Sequence, residues 1–286
     1  IGAPPVSVII GAEAHPTLTK SLGLLGLGRD DVTRVPVDDQ GRMIASELPE
    51  IDGPAIVCTQ AGNVNTGAFD TIGEICDRVR PQGGWVHVDG AFGLWAAASA
   101  AHREQIAGFE RADSWATDAH KWLNVPYDSG VAFVRDPHDL RAAMSITAEY
   151  LPTETEFRNP SDYVPELSRR ARGIDIWAAL RSLGRNGVEA LVDRCCRHAR
   201  RFAEGFQAAG YEVLNDVVLN QVLVSFGDAE KTRRVIDAIQ VDGTCWCGIT
   251  VWQGHTAMRI SVCNWSTTDD DVELSLRVMT EIADRY

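Results

Sequence analysis

Short apolar runs alternate with helix-period segments from Val6 to Val134, and this alternation restricts the fold more than any other feature of the chain. Residues 6–10, 55–58, 85–88, 114–117 and 130–134 read as strands buried within a mostly parallel sheet. Between the second and third, Phe69, Ile72, Ile75, Cys76 and Val79 fall at helical spacing, with Asp70 as the expected N-cap and Pro81 as the stop. Strands alternating with helices in this way imply an α/β sheet with crossover helices.

The pattern changes at residues 164–210, where Ile174, Trp177, Leu180, Leu191, Cys195, Phe202 and Phe206 mark a long helical stretch interrupted near Gly184 and Gly187. Beyond it, residues 212–214, 221–226 and 258–262 read as strands. Residues 269–286 read as a closing helix, with Thr268 as cap and acids in the first turn. A chain of 286 residues accommodates two domains, expected as a large one over 1–177 and a smaller α+β one over 178–286.

A net charge of -13 and a pI near 4.9 oppose a nucleic-acid partner, because phosphate binding needs a basic face. No run approaches the roughly 18 apolar residues of a membrane span, so no membrane partner is expected. The cysteines (58, 76, 195, 196, 245, 247 and 263) form no CxxC pair and lack zinc-ligand spacing, so they are read as reduced thiols and no metal is expected. Ile1 opens into apolar sequence without a basic n-region or cleavage signal, which makes the cytoplasm the expected compartment.

Two segments carry candidate chemistry. Trp85-Val-His-Val-Asp89-Gly90-Ala91 puts an acid directly after a buried strand, at the carboxyl end where α/β sheets bind ligands; the competing reading is a helix cap. Some thirty residues on, a second strand runs into Thr117-Asp-Ala-His120-Lys121-Trp122-Leu123, presenting a lysine beside a histidine. A lysine acts as a Schiff-base nucleophile only when its amine is neutral part of the time, and an apolar setting for Lys121 would promote that. A carboxylate facing a cofactor's ring nitrogen keeps that nitrogen protonated, and Asp89 is the matching group.

In this order and separation the HVDGA and DAHKWL segments resemble the group II pyridoxal-phosphate-dependent decarboxylases, which include the aromatic-amino-acid and glutamate decarboxylases. The resemblance implies fold type I, the aspartate-aminotransferase-like α/β architecture, with pyridoxal 5′-phosphate as cofactor. It also implies Lys121 as the Schiff-base lysine, Asp89 on the pyridine nitrogen, Ala91 against one ring face and His120 on the phosphate. Upstream, Gly11-Ala-Glu-Ala-His15-Pro-Thr-Leu-Thr-Lys-Ser is similar to the family segment whose histidine stacks on the opposite face, a position suited to proton transfer. The loop 59–70 departs from the family's Gly-Thr-Thr pattern, and its Asn63 is a candidate cofactor contact or a turn residue. Tyr150 matches the loop tyrosine that reaches the partner subunit's site and assists protonation. Arg259 matches an arginine that binds a carboxylate in some relatives, with a structural salt bridge as the equal alternative.

By the same resemblance the protein is a homodimer that decarboxylates an L-amino acid to an amine and carbon dioxide. The rival readings are an aminotransferase, an aldehyde-forming oxidative deaminase, or a cofactor-free truncated dimerisation partner. The family's glycine/serine-rich phosphate cradle lies upstream of the His15 segment, so it is expected to be lost, omitted or carried by a second chain.

Overall fold

The computed structural model describes residues 2, 4–146 and 158–286. The first half builds a sheet from β1 (Ser7–Gly11), β2 (Val32–Val35), β3 (Ala55–Gln60), β4 (Trp85–Asp89), β5 (Ser114–Asp118) and β6 (Gly130–Val134). The strand order is β2-β1-β3-β4-β5-β6, and only the β5–β6 pair is antiparallel. The sheet is therefore mostly parallel, as its apolar runs imply, but β6 is an antiparallel edge strand with none of its residues buried, against the buried strand expected at 130–134. Helix α1 (Pro16–Leu24) leads from β1 out to the edge strand β2, after which the chain returns to β3 on the other side of β1. That reversal is a topological switch point, the place where open α/β sheets leave a crevice beyond their carboxyl ends.

β4 shows how the strands divide their side chains. Successive residues point to opposite faces, so Val86 and Val88 are fully buried while Trp85, His87 and Asp89 share the other face. Helix α2 (Ile72–Val79) covers the Val86 side with Ile72, Ile75, Cys76 and Val79. Each such aliphatic burial stabilises the fold by roughly 1.5–3 kcal/mol. Pro81 ends the helix within a short 3₁₀ turn at Arg80–Gln82, as expected.

The expected capping role of Asp70 is not observed. Thr71 occupies the N-cap position without a side-chain bond, and Asp70 is instead buried, accepting from the backbone N–H of Met43 (2.7 Å) and of Gln60 (2.6 Å). It thereby ties the 38–43 turn to the end of β3. Burial pushes its carboxyl up to about 6, against the lowering effect of those two N–H bonds. The folded value exceeds the unfolded one, so the folded state binds more protons between about pH 4 and 6 and its stability falls as pH rises through that window. The ionised form costs on the order of 3 kcal/mol. The expected result is that the wild-type stability profile, measured by denaturant titration, declines from about pH 4 to above 6, and that this decline is missing in Asp70→Asn. Parallel profiles would show that the N–H bonds offset the burial completely.

After α3 (Pro137–Met144), helix α4 (Gly173–Ala208) carries the chain to the second half. It starts later than its apolar pattern suggests and breaks at Gly184, whose left-handed backbone (φ 62°) redirects it, as the sequence interruption there implies. The expected domain boundary at 177/178 falls inside this helix, before the break. Past the break, Val188, Leu191, Cys195, Phe202 and Phe206 are buried.

The second half is a four-stranded antiparallel sheet, order β7-β8-β10-β9, made by β7 (Glu212–Val213), β8 (Gln221–Ser225), β9 (Gly248–Trp252) and β10 (His255–Ser261). It packs against α4 and α5 (Ala229–Asp242), and α6 (Asp269–Ala283) lies against those two helices. The α6 cap is as read from the sequence. Thr268 and Asp271 form a reciprocal capping box, and three aspartates in the first turn complement the helix dipole. Among the described residues no helix is long and apolar enough to cross a membrane.

Candidate active site

The carboxyl ends of β3, β4 and β5 and the turn after β1 open into a cavity of about 1010 Å³, lined also by residues of β8 and β10. His15, Asp89, Ala91, His120, Lys121 and Arg259 all line it. Residues from positions far apart in the chain thus converge at the switch point.

Asp89 ends β4. Its Oδ1 accepts from the Ala91 N–H at 3.1 Å, a turn that holds the carboxylate at the strand end. Lys121 does not sit in the apolar setting expected of it. Its side chain is 36% exposed, Nζ lies 3.0 Å from Asp118 Oδ2, and the Phe92 ring centroid is 5.7 Å away. The ammonium is therefore held by a carboxylate and the face of an aromatic ring.

His15 does two things in the structure. It is the N-cap of α1, and it faces the cavity. The Thr17 hydroxyl and backbone N–H donate to Nδ1 (2.7 and 3.3 Å), which leaves Nε2 as the protonated nitrogen of the neutral ring. Burial holds its pKa below the ordinary imidazole value. Asp89 pulls it up, Lys121 and Arg259 push it down, and Asp118 again raises it. His120 points Nδ1 at the Ser129 carbonyl oxygen (2.8 Å) and stacks on Tyr127, with ring centroids 4.3 Å apart. Its Nε2 is 3.8 Å from Asp118.

Arg259, on β10, donates from Nη1 to the Val64 carbonyl (3.2 Å) and to Ser261 Oγ (3.0 Å). Among the described residues no carboxylate lies within 4.0 Å of it, so the salt-bridge alternative is not realised. Burial lowers its pKa, and a half-buried guanidinium without a carboxylate partner suits an incoming anion.

Asn63 belongs to the loop, not to the cavity wall. Its Oδ1 accepts from the backbone N–H of Asn65 (2.8 Å) and Thr66 (3.3 Å), while Nδ2 donates to Glu13 Oε2 (3.2 Å) and the Gly41 carbonyl (3.4 Å). Every polar atom of the amide is committed, which removes it as a cofactor contact. Tyr150 lies outside the described residues. Asp118, Phe92 and Gln60 line the cavity without having been singled out from the sequence. Asp118 carried a usable signal, since it ends a strand three residues before Lys121.

The donor set fits a pyridoxal group: an amine for its aldehyde, a carboxylate for its ring nitrogen and an imidazole beside them. The Gly62 turn is cut to the same space. Its φ is +91°, and a Cβ there would stand 2.7 Å from the Phe92 ring beside Lys121.

Fold and site together define an α/β protein that presents a lysine and an acid from neighbouring strand ends to one cavity. The family model of the pyridoxal-dependent decarboxylase conserved domain matches residues 5–227, and the chain belongs to this family. It is 31% identical over 297 residues to the L-2,4-diaminobutyrate decarboxylase of Rhizobium meliloti (strain 1021), covering 96% of this chain and 59% of that protein. To the acidic amino acid decarboxylase GADL1 of Bos taurus it is 34% identical over 216 residues, covering 71% of this chain and 42% of that protein. The chain thus spans about half the length of these relatives. Its fold is similar to that of the Oryza sativa TDC crystallised with PLP and tryptamine, with a TM-score of 0.91 at 21% identity over 98% of this chain and 63% of that one.

Proposed function

We propose that the protein takes part in pyridoxal-phosphate-dependent decarboxylation of an L-amino acid to its amine and carbon dioxide. The observation that carries this is the convergence of His15, Asp89, Lys121 and Arg259 on one cavity at the strand ends. When bound, pyridoxal 5′-phosphate supplies an aldehyde that takes up an amine and a ring that accepts the electron pair left at the substrate's α-carbon. Asp89 would hold a proton at the ring nitrogen, with Ala91 and His15 as the residues that would hold the ring from either side. Lys121 Nζ would be the amine that takes the aldehyde, and Asp118, 3.0 Å away, orients it. By the family resemblance, His120 would be the residue that holds the phosphate. Arg259 offers its guanidinium to a substrate carboxylate. His15 Nε2 carries a proton within the cavity, and Tyr150 is the second proton source, on the strength of the family resemblance.

A homodimer with its sites at the subunit interface, a cytoplasmic location, the boundary between residues 177 and 178, and a phosphate cradle on an additional segment belong to the same reading. The family's group II pattern supports the dimer and the cradle. The free cysteines support a reducing compartment.

The test is to incubate the protein with the cofactor and a panel of acidic, aromatic and diamino L-amino acids, measuring carbon dioxide, amine and aldehyde together. Amine and carbon dioxide in equal amounts are the expected products. Tyr150→Phe should still release carbon dioxide, with product diverted from amine to aldehyde, the nitrogen being left on the cofactor as an amine or, with dioxygen as oxidant, released as ammonia alongside hydrogen peroxide; about 1.4 kcal/mol shifts the partition tenfold. Keto acid without carbon dioxide would make the protein an aminotransferase instead.

A further inference from the structure

Four chain segments meet at one carboxylate. Glu13 Oε2 accepts from Trp252 Nε1 (2.9 Å) and Asn63 Nδ2 (3.2 Å), and Oε1 accepts from Gln253 Nε2 (3.0 Å). Glu13 lies in the turn between β1 and α1, two residues before His15, whereas Trp252 and Gln253 form the tip of the β9–β10 hairpin in the second sheet. Gly41 closes the fourth side. With φ at +78° and no side chain, it lets the carboxylate lie where its own Cβ would collide with Glu13 Oε2. Among the described residues no basic side chain lies within 4.0 Å of Glu13, so the charge is held by N–H donors of neutral side chains.

The neighbouring contacts run the same way. Gln253 Nε2 also donates to the Asp38 carbonyl (2.9 Å), Thr250 Oγ1 donates to Asn65 Oδ1 (2.9 Å), and Gln60 in the cavity wall donates to the Glu13 carbonyl (3.3 Å). By contrast, α1 holds the His15 turn weakly from its other end. Leu22 is its one buried residue, and Leu24 and Leu25 just beyond are 79% and 73% exposed. Among the described residues, the hydrogen bonds that orient the His15 ring come from Thr17, on the same turn.

We infer that Glu13 is a positioning residue: its carboxylate ties the His15 turn to the second sheet and so sets where the imidazole stands relative to Asp89 and Lys121. The decarboxylase reading is needed only for the kinetic consequence. A histidine displaced by a fraction of an ångström loses its alignment while Asp89, Lys121 and Arg259 stay in place.

The experiment compares wild type with Glu13→Ala, Glu13→Gln and Trp252→Phe. Without cofactor, the His15 imidazole is titrated by NMR and amide exchange is followed over residues 12–17. In Glu13→Ala the His15 midpoint should rise toward the ordinary imidazole value, because the freed ring gains water, and the exchange of the turn should accelerate. With cofactor, kcat should fall on the order of ten- to a hundredfold while KM changes by less than about twofold. Trp252→Phe should show a smaller loss of the same kind, and adding it to Glu13→Ala should cost nothing further. If Glu13→Ala does not fold, Glu13→Gln and Trp252→Phe are read by the same measures. A lower melting temperature with unchanged His15 midpoint, exchange and kcat would overturn the inference. If wild type released no carbon dioxide from any substrate while the His15 midpoint still moved, the decarboxylase reading would fail and the clamp would stand.

Discussion

Lys121→Ala is expected to abolish turnover and the visible absorbance of the cofactor-loaded protein while leaving the fold in place. No other lysine lines the cavity, so no second amine can take its role. The expected loss is about 10⁴-fold or more, on the order of 5 kcal/mol of barrier. The fold should survive because the side chain is 36% exposed and its ion pair is with a partly exposed Asp118. Such pairs contribute about 1 kcal/mol or less. Circular dichroism should therefore be unchanged. Borohydride reduction of the loaded wild type followed by peptide mapping should place the label on Lys121. A label on any other lysine, or turnover retained in Lys121→Ala, would remove it from the chemistry.

Asp89→Asn should keep some cofactor yet lose about a hundredfold or more in rate, near 3 kcal/mol of barrier. The amide oxygen can still accept from the Ala91 N–H, so the turn after β4 keeps its shape. What disappears is the negative charge that keeps a ring nitrogen protonated. The same charge acts on His15, where Asp89 is the largest influence raising the imidazole pKa. Its removal should lower the His15 midpoint further, in the direction opposite to the Glu13→Ala shift. Near-normal turnover in a loaded Asp89→Asn protein would show that the ring nitrogen does not depend on this residue.

The opposite signs of the two His15 shifts separate electrostatic from positional effects. Asp89 changes the potential at a ring that stays put. Glu13 changes how far the ring is buried.

The strand runs and the Asp89 and Lys121 segments were legible from the chain because they are local patterns. An apolar run of five residues with an acid at its end needs no distant partner to be recognised, and the capping box at Thr268 lies within four consecutive residues. The edge strands β2 and β9 escaped notice. Thr33 and Arg34 in β2 and Ile249 and Val251 in β9 are not buried, so periodicity there carries no core signal. Asp70 was misplaced for a related reason. An aspartate just before a helix is usually its cap, and only the approach of the 38–43 turn makes it a buried staple instead.

By itself the sequence determined the α/β character, the break at Gly184 and the candidacy of His15, Asp89, His120 and Lys121, all of which line the cavity. Each of these depends on residue type and spacing along a short stretch. The tertiary structure alone decided that Lys121 pairs with Asp118, that Arg259 donates to the Val64 carbonyl and Ser261 with no carboxylate partner among the described residues, that Asn63 is consumed by its surroundings, and that Glu13 is gripped by a hairpin tip 239 residues away. These are matters of which polar group meets which once the two sheets pack. Buried polar atoms must find partners wherever the fold brings them, and the nearest partner in space is seldom the nearest in sequence.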